Sequence, residues 1–316
     1  MSVPSNSTSV IANELVTASD KSRPSYFGIV DVGLIFAGLV WGSSNVVTKS
    51  VYNQWSPGAF IVLRFVLASV FLLPFASIID GGLKIQRSDW KPMLILAILG
   101  VGVVQPLFLY GLAYTSAANL ALIFAASTAF LALLNQWVHH EKLSRRGWMG
   151  IGMAFLGIGL IVGSGSGLDI HSHTLLGNLL ALLGMVFWAL YAFLAGPLMK
   201  RYSPLRVTAL SISIGTIPLI FIGLPGFLSQ DWGKINGNGW LGLLYSSLFG
   251  VVVSYILWNL GIKKIGGVRT AIYQNLSPVT TAILSAIFLA ESFTPLKIAG
   301  TLLILCGLYM VRIFDH

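Results

Sequence analysis

The side chains best able to do chemistry in this chain are polar and aromatic residues set inside long apolar runs. Trp41, Asn45 and Thr48 recur at i, i+4 and i+7, a spacing that stacks them on one face of a helix. Trp188, Tyr191 and Ala195 repeat the pattern. Gln105 stands beside Pro106 with Tyr110 a little over one turn on, and Tyr255 and Asn259 are one turn apart with Trp258 adjacent. Asn119 and the trio Tyr273, Gln274 and Asn275 complete the set, and Arg64 places a cation inside an apolar stretch. Amides and hydroxyls in such places can hydrogen-bond a small solute, and aromatic faces can hold its apolar or cationic part. The competing readings are interhelical hydrogen bonds for the amides and packing or an interfacial belt for the aromatics. Arg64 either snorkels or bonds a neighbouring helix end, or it contacts an anion in an outer vestibule.

Acid–base, metal and redox chemistry find little material. Every acidic residue, from Glu14 to Asp315, falls in a tail, a loop or a helix end, and so do His139, His140, His171, His173 and His316. His171 and His173 alone would hold a metal weakly, and His139-His140-Glu141 lacks a zinc-protease spacing. Gly163-Ser164-Gly165-Ser166-Gly167 looks like a phosphate loop but has no strand before it. The single Cys306 excludes an internal disulfide and paired-thiol redox chemistry. No catalytic residue, metal or cofactor is therefore expected. An integral-membrane enzyme would need convergent His, Asp or Glu, for which Glu141 with His139 and His140 is thin support.

The elements that position these residues are set by composition. Hydrophobic residues make up 56% of the 316, and charged residues 9%, against about 25% in soluble domains. Mean hydropathy is +0.84. A water-soluble globule could not hide that much apolar surface, so the chain reads as an all-α, multi-pass membrane protein in contact with lipid, not as a nucleic-acid binder. Runs long enough to cross a bilayer, about 20 residues each, lie near 31–51, 58–78, 92–113, 117–138, 147–163, 175–198, 206–226, 240–262, 269–290 and 296–313. Residues 1–30 read as a flexible cytoplasmic tail without a signal peptide. With ten alternating spans and a cytoplasmic N-terminus, fifteen of the 19 basic residues fall in inner segments, and only Lys234 and Lys297 in outer loops. That bias is the positive-inside rule, and it places both termini in the cytoplasm. The remaining two are Arg64 and Lys49, the latter read as an interfacial anchor. Lys263, Lys264 and Arg269 read first as topology determinants and second as contacts for a phosphorylated solute.

The chain also matches itself. At an offset of 147, Trp41 meets Trp188 and Ser56-Pro57 meets Ser203-Pro204. At 150, Trp90 meets Trp240, Ser127 meets Ser277, Glu141 meets Glu291 and Gly157 meets Gly307. Landmarks in one order over five spans define two repeats, 31–163 and 175–313. An odd number of spans inverts the second copy, and inverted repeats are a signature of transporters working by alternating access. A receptor would leave that repeat unexplained. Small residues at Gly150, Ala154 and Gly157, and at Gly300 and Gly307, allow close helix contact; their equivalence by repeat suggests a structural pairing, with a homodimer face the alternative. Pro106, Pro218 and Pro278 fall inside spans, and Pro278 predicts that the ninth helix opens a carbonyl towards the cavity.

Several stretches carry a family likeness. Trp41-Gly42-Ser43-Ser44-Asn45 through Lys49, Ser56-Pro57 through Arg64-Phe65, Ala113-Tyr114-Thr115-Ser116-Ala117-Ala118, Glu141-Lys142-Leu143, Ser277-Pro278-Val279 and Glu291-Ser292 occur in order over 31–313. With them the chain resembles the EamA-type, ten-helix members of the drug/metabolite transporter superfamily. The resemblance implies transport of small metabolites, often export of amino acids or related solutes, through a central cavity between the halves. A cavity lined by aromatics and amides suits a neutral or zwitterionic solute, with anionic or phosphorylated metabolites the alternative. No carboxylate or His near midplane is available to carry a proton, which favours a facilitator or exchanger. The expected location is the bacterial inner membrane.

Overall fold

The computed structural model describes residues 28–139, 144–163, 173–291 and 294–314. The tail before residue 28, and Glu141, His140 and His171, lie outside the described residues. Helix α1 is Ile29–Val51 and α2 is Pro57–Ile79. Helix α3 runs Trp90–Ala97, widens into a π-helical turn over Ile98–Val103, and continues as Val104–Tyr114. Helix α4 has two parts, Ala117–Ala125 and Ser127–His139, and α5 is Arg145–Gly163. The second half repeats the plan with α6 His173–Arg201, α7 Pro204–Leu228, α8 Gly237–Ser247, Leu248–Val253 and Ser254–Ile265, α9 Gly267–Tyr273 and Leu276–Phe288, and α10 Pro295–Phe314. Among the described residues there is no strand.

Seven of these helices are long and apolar enough to cross a membrane: α1, α2, α3, α4, α6, α7 and α8. Their outward faces carry large apolar side chains, such as Phe221 at 72% and Phe71 at 50% exposure, which suit lipid and not water. The protein is an integral-membrane helical protein.

Local chemistry repeats along with the sequence. Ser56 accepts a hydrogen bond from the Ala59 amide at 3.1 Å with Pro57 opening α2. Ser203 accepts one from Arg206 at 3.0 Å with Pro204 opening α7. Both are serine N-caps followed by the one residue that loses nothing in a first helical turn. The π turn of α3 recurs in α8 at the same repeat position. Pro106 cannot be its cause, because α8 carries Ile256 at the equivalent place. The breaks in α4 and α9, at Ala126 and at Gln274–Asn275, fall within two residues of one another in the repeat. Helix α9 is broken before Pro278, but the carbonyl that the proline leaves without its usual partner is not open: Gln274 O accepts from Ser277 N at 2.9 Å in a tightened turn.

Residues that touch their own repeat counterparts must lie on the pseudo-two-fold axis, and three pairs do. Trp41 and Trp188 pack edge to face with centroids 5.6 Å apart. Gln105 Nε2 donates to the Tyr255 hydroxyl at 2.7 Å. Ser69 and Thr216, on α2 and α7, share a hydrogen bond at 3.1 Å. Around this axis α1 packs on α8 and α9, while α3 and α4 pack on α6, so each half's first helix sits in the other half. Helices α5 and α10 also pair across it. A Cβ at Gly157 would stand 2.5 Å from Gly300 O, and one at Gly307 would stand 2.4 Å from Gly150 O. The small-residue stripes therefore pair with each other within one chain, the structural pairing that their repeat equivalence suggests.

Candidate functional site

A central cavity opens beside the axis between α1, α2, α3, α4, α6, α8 and α9, with about 60 Å³ open to the centres of water molecules. That is room for a few waters, so an amino-acid-sized solute requires the halves to move apart. One wall is polar: Trp41, Asn45, Arg64, Gln105, Tyr255 and Gln274 reach it. Trp188 and Phe108, Phe124, Val104 and Ala121 supply apolar surface.

Several of these polar groups are held by a partner on a different helix. Trp41 Nε1 donates to Gly250 O on the α8 π turn at 3.0 Å, and Trp188 Nε1 donates to Gln274 Oε1 at 3.0 Å, at the break in α9. Asn45 Nδ2 donates to Thr281 Oγ1 at 3.1 Å, and Thr281 donates to Gly42 O at 3.0 Å. The π turns aim Gln105 and Tyr255 at one another directly after the widened backbone. Extra helical turns of this kind mark functional places in many proteins.

Of the residues singled out from sequence, Trp41, Asn45, Arg64, Gln105, Trp188, Tyr255 and Gln274 line the cavity. Tyr191, Trp258 and Asn259 form a layer behind it. Tyr191 stacks on Trp188 at 5.2 Å, and Trp258 lies 5.2 Å from Trp41 and 5.5 Å from Trp188. Asn259 Nδ2 lies 3.0 Å from Tyr191 Oη and donates to Thr208 Oγ1 at 2.7 Å. The other four sit elsewhere. The Tyr110 hydroxyl lies beside Gly58 on α2. Asn119 is 2% exposed beside Thr115 and Asn178. The Tyr273 hydroxyl donates to the Asp31 carboxylate at the start of α1, and Asn275 lies in the α9 break outside the lining. Helices apolar all round give no hydrophobic face from which these orientations could be read.

Arg64 bonds a neighbouring helix end, as one of its expected roles had it: Nε donates to Ser246 O at 3.2 Å, in the last turn of the Gly237–Ser247 segment of α8. It does not snorkel, being 5% exposed at the central cavity. Lys49, expected as an interfacial anchor, clamps the end of α3, donating to the carbonyls of Leu112, Ala113 and Thr115 at 2.7, 3.2 and 2.8 Å. Beside it Glu291 caps α4, accepting from the Ala117 and Ala118 amides at 2.8 and 3.2 Å. These residues line a second, wider opening at that end of the bundle with Tyr114 and Ser116. Ser44, Phe108, Phe124 and Gly250 were not legible as cavity residues. Ser277 and Pro278 stood in the sequence as family marks, and the cavity reaches both.

The model of the EamA-like transporter family matches residues 28–163 and again 175–313, two copies that together span most of the chain. The chain belongs to this family. It is similar to the uncharacterized transporter YyaM of Bacillus subtilis, 30% identical with 84% of this chain and 88% of that protein covered. YetK of the same organism, also an uncharacterized transporter, is 28% identical over 89% of this chain and 86% of its own length. An uncharacterized transporter of Archaeoglobus fulgidus is 27% identical, with 88% and 95% covered. A crystal structure titled only as that of a protein shares the fold, with a TM-score of 0.64 at 17% identity, covering 89% of this chain and 95% of the other. EamA-like membership and these relatives make the chain a membrane transporter.

Proposed function

We propose that this EamA-like protein carries small metabolites across the bacterial inner membrane by alternating access, as ten spans in two inverted repeats with both termini in the cytoplasm. The observation that carries the reading is the cavity beside an axis where Trp41 meets Trp188 and Gln105 meets Tyr255. Two halves of one fold that differ slightly in conformation can exchange those conformations, opening the same central residues first to one side and then to the other. The α5, α9 and α10 segments complete the count, and the distribution of basic residues supports the orientation.

The solute class we assign is amino acids or similar neutral or zwitterionic compounds. Aromatic and amide side chains converge on the cavity, and no acidic side chain lines it. A facilitator or exchanger follows from the same feature, since among the described residues no carboxylate stands in the cavity to carry a proton. Arg64 favours an anionic metabolite as the second reading. The phosphorylated version of that reading loses support, because Lys263, Lys264 and Arg269 are exposed away from the cavity.

Counterflow in proteoliposomes tests both. Preloaded unlabelled amino acid should drive uptake of the labelled one, and Trp188→Ala should lower it. Exchange of sugar phosphates, with none of amino acids, would replace the first reading by the second.

A further inference from the structure

The cavity wall leaves two neighbouring donors unpaired. Arg64 is 5% exposed, and its Nη1 has no hydrogen-bond partner among the described residues. Ser44 on α1 is 3% exposed, and its Oγ is likewise without one. Both side chains line the cavity, and both flank Gly250: a Cβ there would lie 2.7 Å from Ser44 Oγ and 3.1 Å from Arg64 Nη2. A guanidinium edge and a hydroxyl on the same bare backbone offer donors suited to the two oxygens of a carboxylate. Among the described residues no acidic side chain pairs with Arg64, whose buried charge is costly while it lacks a counter-charge. Across the cavity Phe108 and Phe124 meet edge to face at 5.1 Å, an apolar surface that a bare ion would leave uncovered.

We propose that Arg64, Ser44 and the Gly250 backbone form a carboxylate subsite for the transported solute, whose apolar body lies against Phe108 and Phe124. This rests on the amino-acid reading above and narrows it to solutes that keep a free carboxylate. The chemistry would also accept a chloride ion, so the test separates the two sources.

Full-length protein in detergent is titrated with L-phenylalanine, 3-phenylpropionate and L-phenylalaninamide, in sodium gluconate and again in sodium chloride. The two acids should bind at least about tenfold more tightly than the amide. Arg64→Gln should weaken both acids by about a hundredfold and leave the amide unchanged, and Ser44→Ala should weaken the acids several-fold. If Arg64→Gln does not fold, the acid-to-amide ratio of the native protein and of Ser44→Ala decides the matter. Equal binding of acid and amide overturns the subsite and leaves the amino-acid reading standing. Stabilisation by chloride that no acid displaces overturns it in favour of an ion site. No binding by any of the three overturns the solute class and the subsite together.

Discussion

Two corners of the molecule occupy equivalent places in the repeat and are built in opposite ways. In one, Ser44 of α1 and Arg64 of α2 meet Gly250 in the π turn of α8. In the other, their counterparts are Tyr191 of α6 and Ser211 of α7, and Tyr191 faces Gly100 in the π turn of α3. The second corner is filled. The Tyr191 ring covers Gly100, where a Cβ would come within 2.1 Å of Cδ2, and Asn259 ties Tyr191 to Thr208. Ser211 donates to Thr208 O at 3.2 Å. The first corner has a small hydroxyl in place of the ring, a guanidinium in place of the serine, and open donors on both. One backbone plan thus yields a closed, internally bonded corner on one side of the axis and a cavity on the other. In the proposed mechanism the symmetry serves movement, and the departure from symmetry provides the place for a solute.

The contrast breaks most sharply at the glycines. Gly100→Ala forces a methyl into the Tyr191 ring and should cost about 3 kcal/mol or more, seen as lost yield or a large fall in Tm. Gly250→Ala meets Ser44 Oγ at 2.7 Å, Arg64 Nη2 at 3.1 Å and Ser44 Cβ at 3.3 Å, looser than the ring at Gly100, so its Tm should fall less while carboxylate binding suffers. Equal losses would mean that the two π turns are equally packed. Next in size is Asn259→Ala, which strips the buried Tyr191 hydroxyl of its amide and should cost about 1–3 kcal/mol in thermal or denaturant unfolding. Ser44→Ala, its opposite in the open corner, should stay within about 0.5 kcal/mol because its Oγ has no bond to lose.

The ends of the bundle sharpen the same comparison on a smaller scale. Lys49 joins α1 to the end of α3, whereas its counterpart Gly196 has open space where a side chain would stand. Lys49→Ala should cost about 1 kcal/mol of stability and raise solute exchange from that end, measured in sided proteoliposomes. Gly196→Ala should be neutral or gain up to about 1 kcal/mol, through helix propensity alone. A loss there would show that Gly196 is packed by something this conformation does not contain.

Much of this architecture was legible in the chain. Apolar run length, the placement of basic residues and the offsets of 147 and 150 need no folding, because a bilayer reads hydropathy and charge one segment at a time. Arg64 was visible for the same reason, as a charge where none is cheap. The facing of each side chain was not legible. Lipid and protein interior are both apolar, so helices such as α2 and α7 carry no stripe that tells one from the other. Asn119 could as well have faced the cavity as Asn178, and the fold put it against the latter. The π turns, the pairing of Gln105 with Tyr255, and the bare Gly250 between Ser44 and Arg64 arise only when the two repeats interlock. Sequence determined a frame of two repeats in a membrane transporter. Tertiary structure decided which of two equivalent corners stays open, because that depends on which side chains from the other repeat fill it.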